Sequence, residues 1–282
     1  MANNEIMICP VCHQGLKVNG NSYVCSNKHT FDIASKGYVN LLLSHQKNSK
    51  EPGDNKQMVL ARNAFLNTGY YQRLSETING IVVDYMKSGK QLKSANILDA
   101  GCGEGYYSDS LDKALKTDGI EANLFGIDIS KDAVKLAATR NKTICFAIAS
   151  TYHIPIAANT IDCLLQLFSP YSNHEFDRVM KKDSILISVI PGQHHLFGLK
   201  KLLYENPYAN DEQEHPLVSF EPIGKLQLQY DIVIEDAETI KNLLMMTPYY
   251  WRTNLQKIQK LYEIDRLETP VDFVITTYAK KR

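Results

Sequence analysis

From residue 95 onward, short apolar runs alternate with stretches of helical periodicity. The runs at 96–100, 124–128, 144–149, 161–168 and 185–190 have the length of buried strands and predict five of them. Between them, 131–140 and 174–182 place apolar side chains at helical spacing. Such alternation predicts a parallel sheet wrapped by helices. A helix at 236–246 and a strand at 271–278 close the chain, and the polar stretch 206–216 predicts a loop. Upstream, Pro52-Gly53-Asp54 predicts a helix start with Asp54 as its cap, and Asn67-Thr68-Gly69 predicts the stop. A second helix follows, with Leu74, Ile78, Ile81, Val82 and Tyr85 on one face. The first 45 residues lack either period. The chain therefore divides into a small module at 1–45, a helical connection at 46–90 and an α/β domain at 91–282.

The small module carries its own chemistry. Cys9 and Cys12, then twelve residues, Cys25 and His29 give the pattern C-x2-C-x12-C-x3-H. Tetrahedral zinc takes four such ligands, two on each of two tight turns. Asn19-Gly20-Asn21 supplies the reversal between the two halves, and Tyr23-Val24 leads into the third ligand as a strand would. Four protein ligands close the site, so its role is structural. With little apolar sequence of its own, the module is expected to draw much of its stability from the metal, about 10–16 kcal/mol in isolated zinc peptides. His13 adjoins Cys12, but its spacing does not suit the second turn.

The second constellation begins the α/β domain. Asn96-Ile-Leu-Asp99-Ala-Gly101-Cys-Gly103-Glu104-Gly105 runs from a strand through a glycine turn into a helix. Gly101 and Gly103 allow a sharp turn and let a ligand approach without a Cβ in the way. Asp128 ends the next strand, where an acid can hold ribose hydroxyls. The spacing is G-x-G-x-G, not the G-x-G-x-x-G of a dinucleotide fold. An aspartate in the first loop repels a pyrophosphate and suits the amine of S-adenosylmethionine. The competing reading is a nicotinamide enzyme.

Composition narrows the classes. Of 282 residues 44% are hydrophobic and 22% charged, with 31 basic and 31 acidic side chains, which excludes disorder as the main theme. No apolar run reaches the roughly 18 residues of a membrane span. The first residues carry no basic and apolar leader, so a cytoplasmic location is expected. Six cysteines in such a chain do not read as a disulfide framework. Residues 1–62 hold Lys17, Lys28, Lys36, Lys47, Lys50, Lys56 and Arg62 against Glu5, Asp32, Glu51 and Asp54, a mild basic excess compatible with a polyanion.

Taken in order, Cys9-Pro-Val-Cys12-His13, Phe31-Asp32, Lys36-Gly-Tyr-Val-Asn-Leu-Leu42, Pro52-Gly-Asp54, Gly69-Tyr-Tyr71 and Gly101-Cys-Gly-Glu-Gly-Tyr-Tyr107 resemble the 23S ribosomal RNA (guanine-N1)-methyltransferase family. The resemblance extends to Met246-Thr-Pro-Tyr-Tyr-Trp251. It implies a Rossmann-like class I S-adenosylmethionine methyltransferase, with a mostly parallel seven-stranded sheet whose last strand is inserted antiparallel. A small zinc-binding domain precedes it. The implied reaction is methylation of guanine N1 in the loop of hairpin 35, and the implied assembly is a homodimer. Carried over residue by residue, Cys9, Cys12, Cys25 and His29 bind zinc. Tyr71, Gly103, Glu104 and His195 join Asp99, Gly101 and Asp128 around S-adenosylmethionine. Of the family's two branches, Pro52-Gly53-Asp54 and the Pro191-to-Lys200 run resemble the Gram-negative type. Leu167-Phe168-Ser169-Pro170 resembles the Gram-positive type, and the balance lies with the former.

Guanine N1 carries a proton, so a base or a hydrogen-bond network must stabilise the deprotonated ring. His194, His195 and Glu104 are the titratable candidates. Phe168, Tyr171 and Trp251 are candidates to stack on an extruded base. The lysines of the first module would dock phosphates. Two other classes compete: a small-molecule methyltransferase of the quinone type, and a zinc-dependent RNA-binding protein with a silent methyltransferase fold.

Overall fold

The computed structural model describes residues 6–47, 52–88, 94–212 and 217–281. Three short strands, β1 (Leu16–Asn19), β2 (Ser22–Cys25) and β3 (Thr30–Asp32), form an antiparallel sheet. Asn19 pairs with Ser22, so the β1–β2 turn is Gly20-Asn21, with Gly20 at φ +60°. β4 (Val39–Asn40) leaves this module and joins the large sheet.

Two helices follow, α1 (Lys56–Leu66) and α2 (Gln72–Lys87). The cap of α1 is Asn55, not Asp54: Asn55 Oδ1 accepts from the Met58 amide at 3.0 Å. Asp54 is drawn away to pair with Arg62. The helix stops at Asn67, as expected from Asn67-Thr68-Gly69.

The α/β region then runs β5 (Ala95–Ala100), α3 (Tyr106–Thr117), β6 (Ala122–Asp128), α4 (Lys131–Arg140), β7 (Cys145–Ile148), β8 (Ile161–Leu167), α5 (Asn173–Val179) and β9 (Met180–Pro191). The predicted helix at 174–182 is three residues too long. Met180 pairs with Ile161, and Lys181 Nζ holds both Asp162 oxygens at 2.8 Å, so the chain is already extended there. The C-terminal part adds α6 (Phe197–Leu203), β10 (Phe220–Ile234), α7 (Ala237–Met245), α8 (Tyr249–Arg252), α9 (Leu255–Leu261) and β11 (Leu267–Lys280). The sequence reading assigned no strand at β10. Its signal was a two-residue alternation, with Leu226, Leu228, Tyr230 and Ile232 set between Lys225, Gln227, Gln229 and Asp231.

Among the described residues the large sheet has eight strands, in the order β10-β11-β9-β8-β5-β6-β7-β4. Seven form the expected mostly parallel sheet, with β11 antiparallel to both neighbours, and β4 is an eighth at the edge. Helices cover one face: Phe65, Leu74, Leu111, Val134, Leu199 and Leu243 pack there on Ile97, Leu165 and Ile187.

The other face is closed by α5 and by the Cys/His module. Met7, Leu16 and Tyr23 are buried with Leu98, Phe125, Ala147 and Ile156. Backbone bonds Ile8 N–Pro155 O (3.0 Å) and Ala157 N–Ile6 O (2.8 Å) fasten the module down. It thus has an apolar interface as well as its ligand cluster, which reading the segment in isolation did not show.

The floor beneath the glycine turn is Phe146, fully buried. A Cβ on Gly126 would meet its ring at 2.5 Å and the Cys102 Sγ at 3.1 Å. A Cβ on Gly105 would come within 3.4 Å of the same ring. Overpacking in such a site costs about 1–3 kcal/mol. Gly126→Ala should lower the urea-unfolding free energy by about that amount; an unchanged midpoint would show that the ring can swing aside.

Candidate active site and metal centre

The two knuckles turn back sharply. Cys9 O accepts from the His13 amide at 2.8 Å with His13 at φ +59°, and Cys25 O accepts from the Lys28 amide at 2.9 Å with Lys28 at φ +63°. These turns bring the Cys9, Cys12, Cys25 and His29 donor atoms within 4.8 Å of one another. Cys25 Sγ and Cys9 Sγ lie 3.3 and 3.5 Å from His29 Nδ1, and Cys12 and Cys25 sulfurs are 3.6 Å apart. Donors about 2.0–2.3 Å from a tetrahedral ion are roughly 3.3–3.8 Å from each other, so the set fits a closed four-coordinate metal. His13 is exposed and outside the cluster.

At the end of β5 the chain turns with Gly101, Gly103 and Gly105 all at positive φ. Ile127 O accepts from the amides of Gly101 (2.8 Å) and Cys102 (2.9 Å). Asp128 accepts from Gly103 N at 3.0 Å and from Ser130 N at 2.8 Å, so it ties the first turn to the second. The space a Cβ of Gly103 would occupy is open.

Asp99 is buried. Ser108 Oγ donates to its Oδ2 at 2.5 Å, while its Oδ1 has no partner. Burial pushes its carboxyl up to about 7. An orphaned buried carboxylate oxygen beside an open glycine turn fits a ligand that brings an ammonium group.

Glu104 is also buried, and burial raises its carboxyl. Arg140 lies beside it at 3.4 Å. The same guanidinium donates to Asn63 (2.7 Å), Asn67 (3.0 Å) and the Glu104 carbonyl (3.3 Å), locking α1 and α4 to the turn. Sequence reasoning missed Arg140, because its partners come from separate elements.

Tyr71 and His195, far apart in sequence, meet in the interior. Asp272 N donates to His195 Nδ1 at 3.2 Å, so the ring proton sits on Nε2, which donates to Tyr71 Oη at 3.3 Å. Burial depresses His195 to about 3, leaving the ring neutral with both nitrogens engaged. Phe273 gathers these groups: its ring lies 5.0 Å from Tyr71, 4.8 Å from His195 and 5.8 Å from Phe168. Phe273 was not among the sequence candidates. His194 is exposed, its amide on Asp272 (3.0 Å) and its ring 6.2 Å from Phe197.

Phe168, at φ +56° and 43% exposed, lines a cavity of about 170 Å³ together with Tyr171. Trp251 is elsewhere, its Nε1 3.2 Å from the Met58 sulfur on α1.

Residues 7–50 match the zinc-ribbon family described as "RlmA, N-terminal", and residues 97–183 match the family described as "Methyltransferase domain". A Bacillus subtilis (strain 168) protein, named "Putative 23S rRNA (guanine-N(1)-)-methyltransferase YxjB", is 30% identical over 272 residues, covering 94% of this chain and 93% of its own. A Streptomyces fradiae protein named "23S rRNA (guanine(748)-N(1))-methyltransferase" is 27% identical over 278 residues, covering 95% of each. The chain belongs to the 23S rRNA (guanine-N1)-methyltransferase family.

Burying the Asp99 carboxyl makes the stability of the fold depend on pH. The folded-state pKa of Asp99 lies above the ordinary 3.8, so its contribution is fully present below that value and is lost as pH rises towards 7. Asparagine keeps the bond to Ser108 and carries no charge. In the ligand-free enzyme, Asp99→Asn should be more stable than the parent at pH 8 by about 1–4 kcal/mol. It should bind S-adenosylmethionine at least about tenfold more weakly. Urea unfolding at several pH values with titration calorimetry tests this; coincident pH profiles would overturn it.

Proposed function

We propose that this enzyme transfers the methyl group of S-adenosylmethionine to N1 of a guanine in the hairpin 35 loop of 23S rRNA. It would act in the cytoplasm as a homodimer, with residues 1–45 as a zinc-bearing RNA-docking module, 46–90 as a helical connection and 91–282 as the methyltransferase domain. The observation that carries this is the placement of the module and the cavity on one face of the sheet. Tyr171, Phe176, Leu186, Leu217 and Tyr278 line the cavity and belong to the same apolar cluster as Met7, Leu16 and Tyr23. RNA docked on the module would thereby be presented to the face that carries the cavity. Lys17, Lys28, Lys36 and Lys47 are exposed on or next to the module and suit phosphate contacts; Lys50 lies outside the described residues.

The cofactor supplies an electrophilic methyl group on sulfonium. The chain's part is to bind and align. Asp99 would take the amino group, Asp128 the ribose hydroxyls, and Gly101 and Gly103 the close backbone approach. Tyr71 and His195 would close over the bound molecule, with Glu104 fixing the turn through Arg140. Phe168 and Tyr171 would stack on the extruded base; Trp251, outside the cavity, is better suited to a neighbouring nucleotide. Glu104 is held by Arg140, His195 uses both ring nitrogens, and His194 turns to Phe197. Stabilisation of the N1-deprotonated base therefore falls to hydrogen bonding around the ring.

Two measurements test the reading. With methyl-labelled S-adenosylmethionine and an unmodified 23S fragment containing hairpin 35, the label should enter RNA and primer extension should stop at one loop guanine, because N1-methylguanine cannot pair. That stop also chooses between the family's two branches; label without a stop would mean a different atom. The purified protein should carry one equivalent of zinc by elemental analysis. Cys25→Ser should lose it and weaken RNA binding while leaving cofactor affinity intact, and a metal-free parent that binds RNA equally well would remove the docking role.

A further inference from the structure

The floor of the cavity carries a feature that stacking does not explain. Gln166 of β8, Ser188 of β9 and Thr276 of β11 lie side by side in register across three central strands. The row immediately below, Leu164, Leu186 and Tyr278, buries hydrophobic side chains. Gln166 and Thr276 are only 7% and 5% exposed, and all three polar residues line the cavity. Polar groups on central strands cost free energy unless something pairs with them.

Their hydrogen-bond directions follow from chemistry. The Ser169 carbonyl only accepts, so the Gln166 amide nitrogen faces it. The amide oxygen then faces Ser188, whose Oγ is 2.5 Å away and must donate its single proton. With its proton committed, Ser188 Oγ can only accept from a ligand in the cavity that it lines. Ser169 in turn donates to Ala100 O at 2.5 Å and packs on Gly101, so this chain of bonds ends at the cofactor turn.

We propose that Ser188, oriented by Gln166 and flanked by Thr276, is the specificity determinant for guanine, accepting a hydrogen bond from the exocyclic N2 amino group of the target base. An acceptor needs an N–H opposite it, and guanine's Watson–Crick edge offers N1–H and N2–H. N1 must face the methyl donor, which leaves N2. The inference rests on the guanine-N1 reading above and adds the group that recognises the base.

The test compares hairpin 35 RNA carrying guanosine with the same RNA carrying inosine at the target position. Inosine keeps N1–H and O6 and lacks only the N2 amino group. The parent enzyme should methylate guanosine RNA with kcat/KM about tenfold or more above inosine RNA. Ser188→Ala should bring that ratio to within about twofold of unity, chiefly by slowing the guanosine substrate, and Ser188→Thr should restore it. Thr276→Val, which keeps shape and removes the flanking hydroxyl, should lower the ratio to an intermediate value. Cofactor affinity, measured separately by calorimetry, should stay unchanged in each variant. A parent that does not discriminate, or a Ser188→Ala enzyme that binds cofactor normally and keeps the parent ratio, overturns the assignment. No transfer to either RNA overturns the guanine-N1 reading itself, and the recognition role with it.

Discussion

The end of β6 holds the turn that follows β5. Ile127 O takes two amides of that turn, and the Asp128 carboxylate takes a third together with Ser130 N. These bonds require a backbone that can approach closely at positive φ, which is why glycines stand at 101, 103 and 105. They also require a floor that does not shift, which Phe146 supplies. The direction of Asp99, the start of α3 and the seat for Ser169 all depend on this turn. Arg140 reinforces it from the helical side by joining Glu104 to Asn63 and Asn67.

Buried titratable groups in this framework are handled in different ways: Glu104 is paired with Arg140, whereas Asp99 and His195 have no ion-pair partner at hydrogen-bonding distance among the described residues. Asp99 and His195 are both buried, and burial moves their proton equilibria in opposite directions. For Asp99 the cost lies on the alkaline side of the ordinary carboxylate value. For His195, whose folded pKa is depressed, the stability present above about 6.5 is lost as pH falls towards 3. The unpartnered Asp99 oxygen is a buried acceptor left free, and it differs from the unpartnered hydroxyls of Ser75, Tyr107 and Tyr204 in belonging to a carboxyl group beside the glycine turn.

The N-terminal module does structural work for the catalytic domain. It covers part of a sheet face, and β4 extends the sheet by one strand beside β7. Its apolar interface ties it to the large sheet, and a metal held by its Cys/His cluster would add stability from the other side. With α5 beside it, the module leaves the cavity over β8, β9 and β11 open on that face. RNA docking and base capture are thus proposed for the same face of the sheet.

The clustering of the four Cys/His donors, the glycine turn and the alternation of strands and helices were legible in the sequence, because each depends on residues close together in the chain. A knuckle is set by a two-residue gap, and a strand–turn–helix by the order of apolar residues and glycines. Even there, local reading chose Asp54 as a cap where a nearby arginine left the task to Asn55. Family resemblance pointed to Tyr71 and His195 without showing that they touch. The tertiary structure alone decided that Phe273 gathers them, that Trp251 stands apart from the cavity, and that Gln166, Ser188 and Thr276 form one row. Those relations are set by strand order and register, which join segments distant along the chain, and no local pattern of residues encodes them.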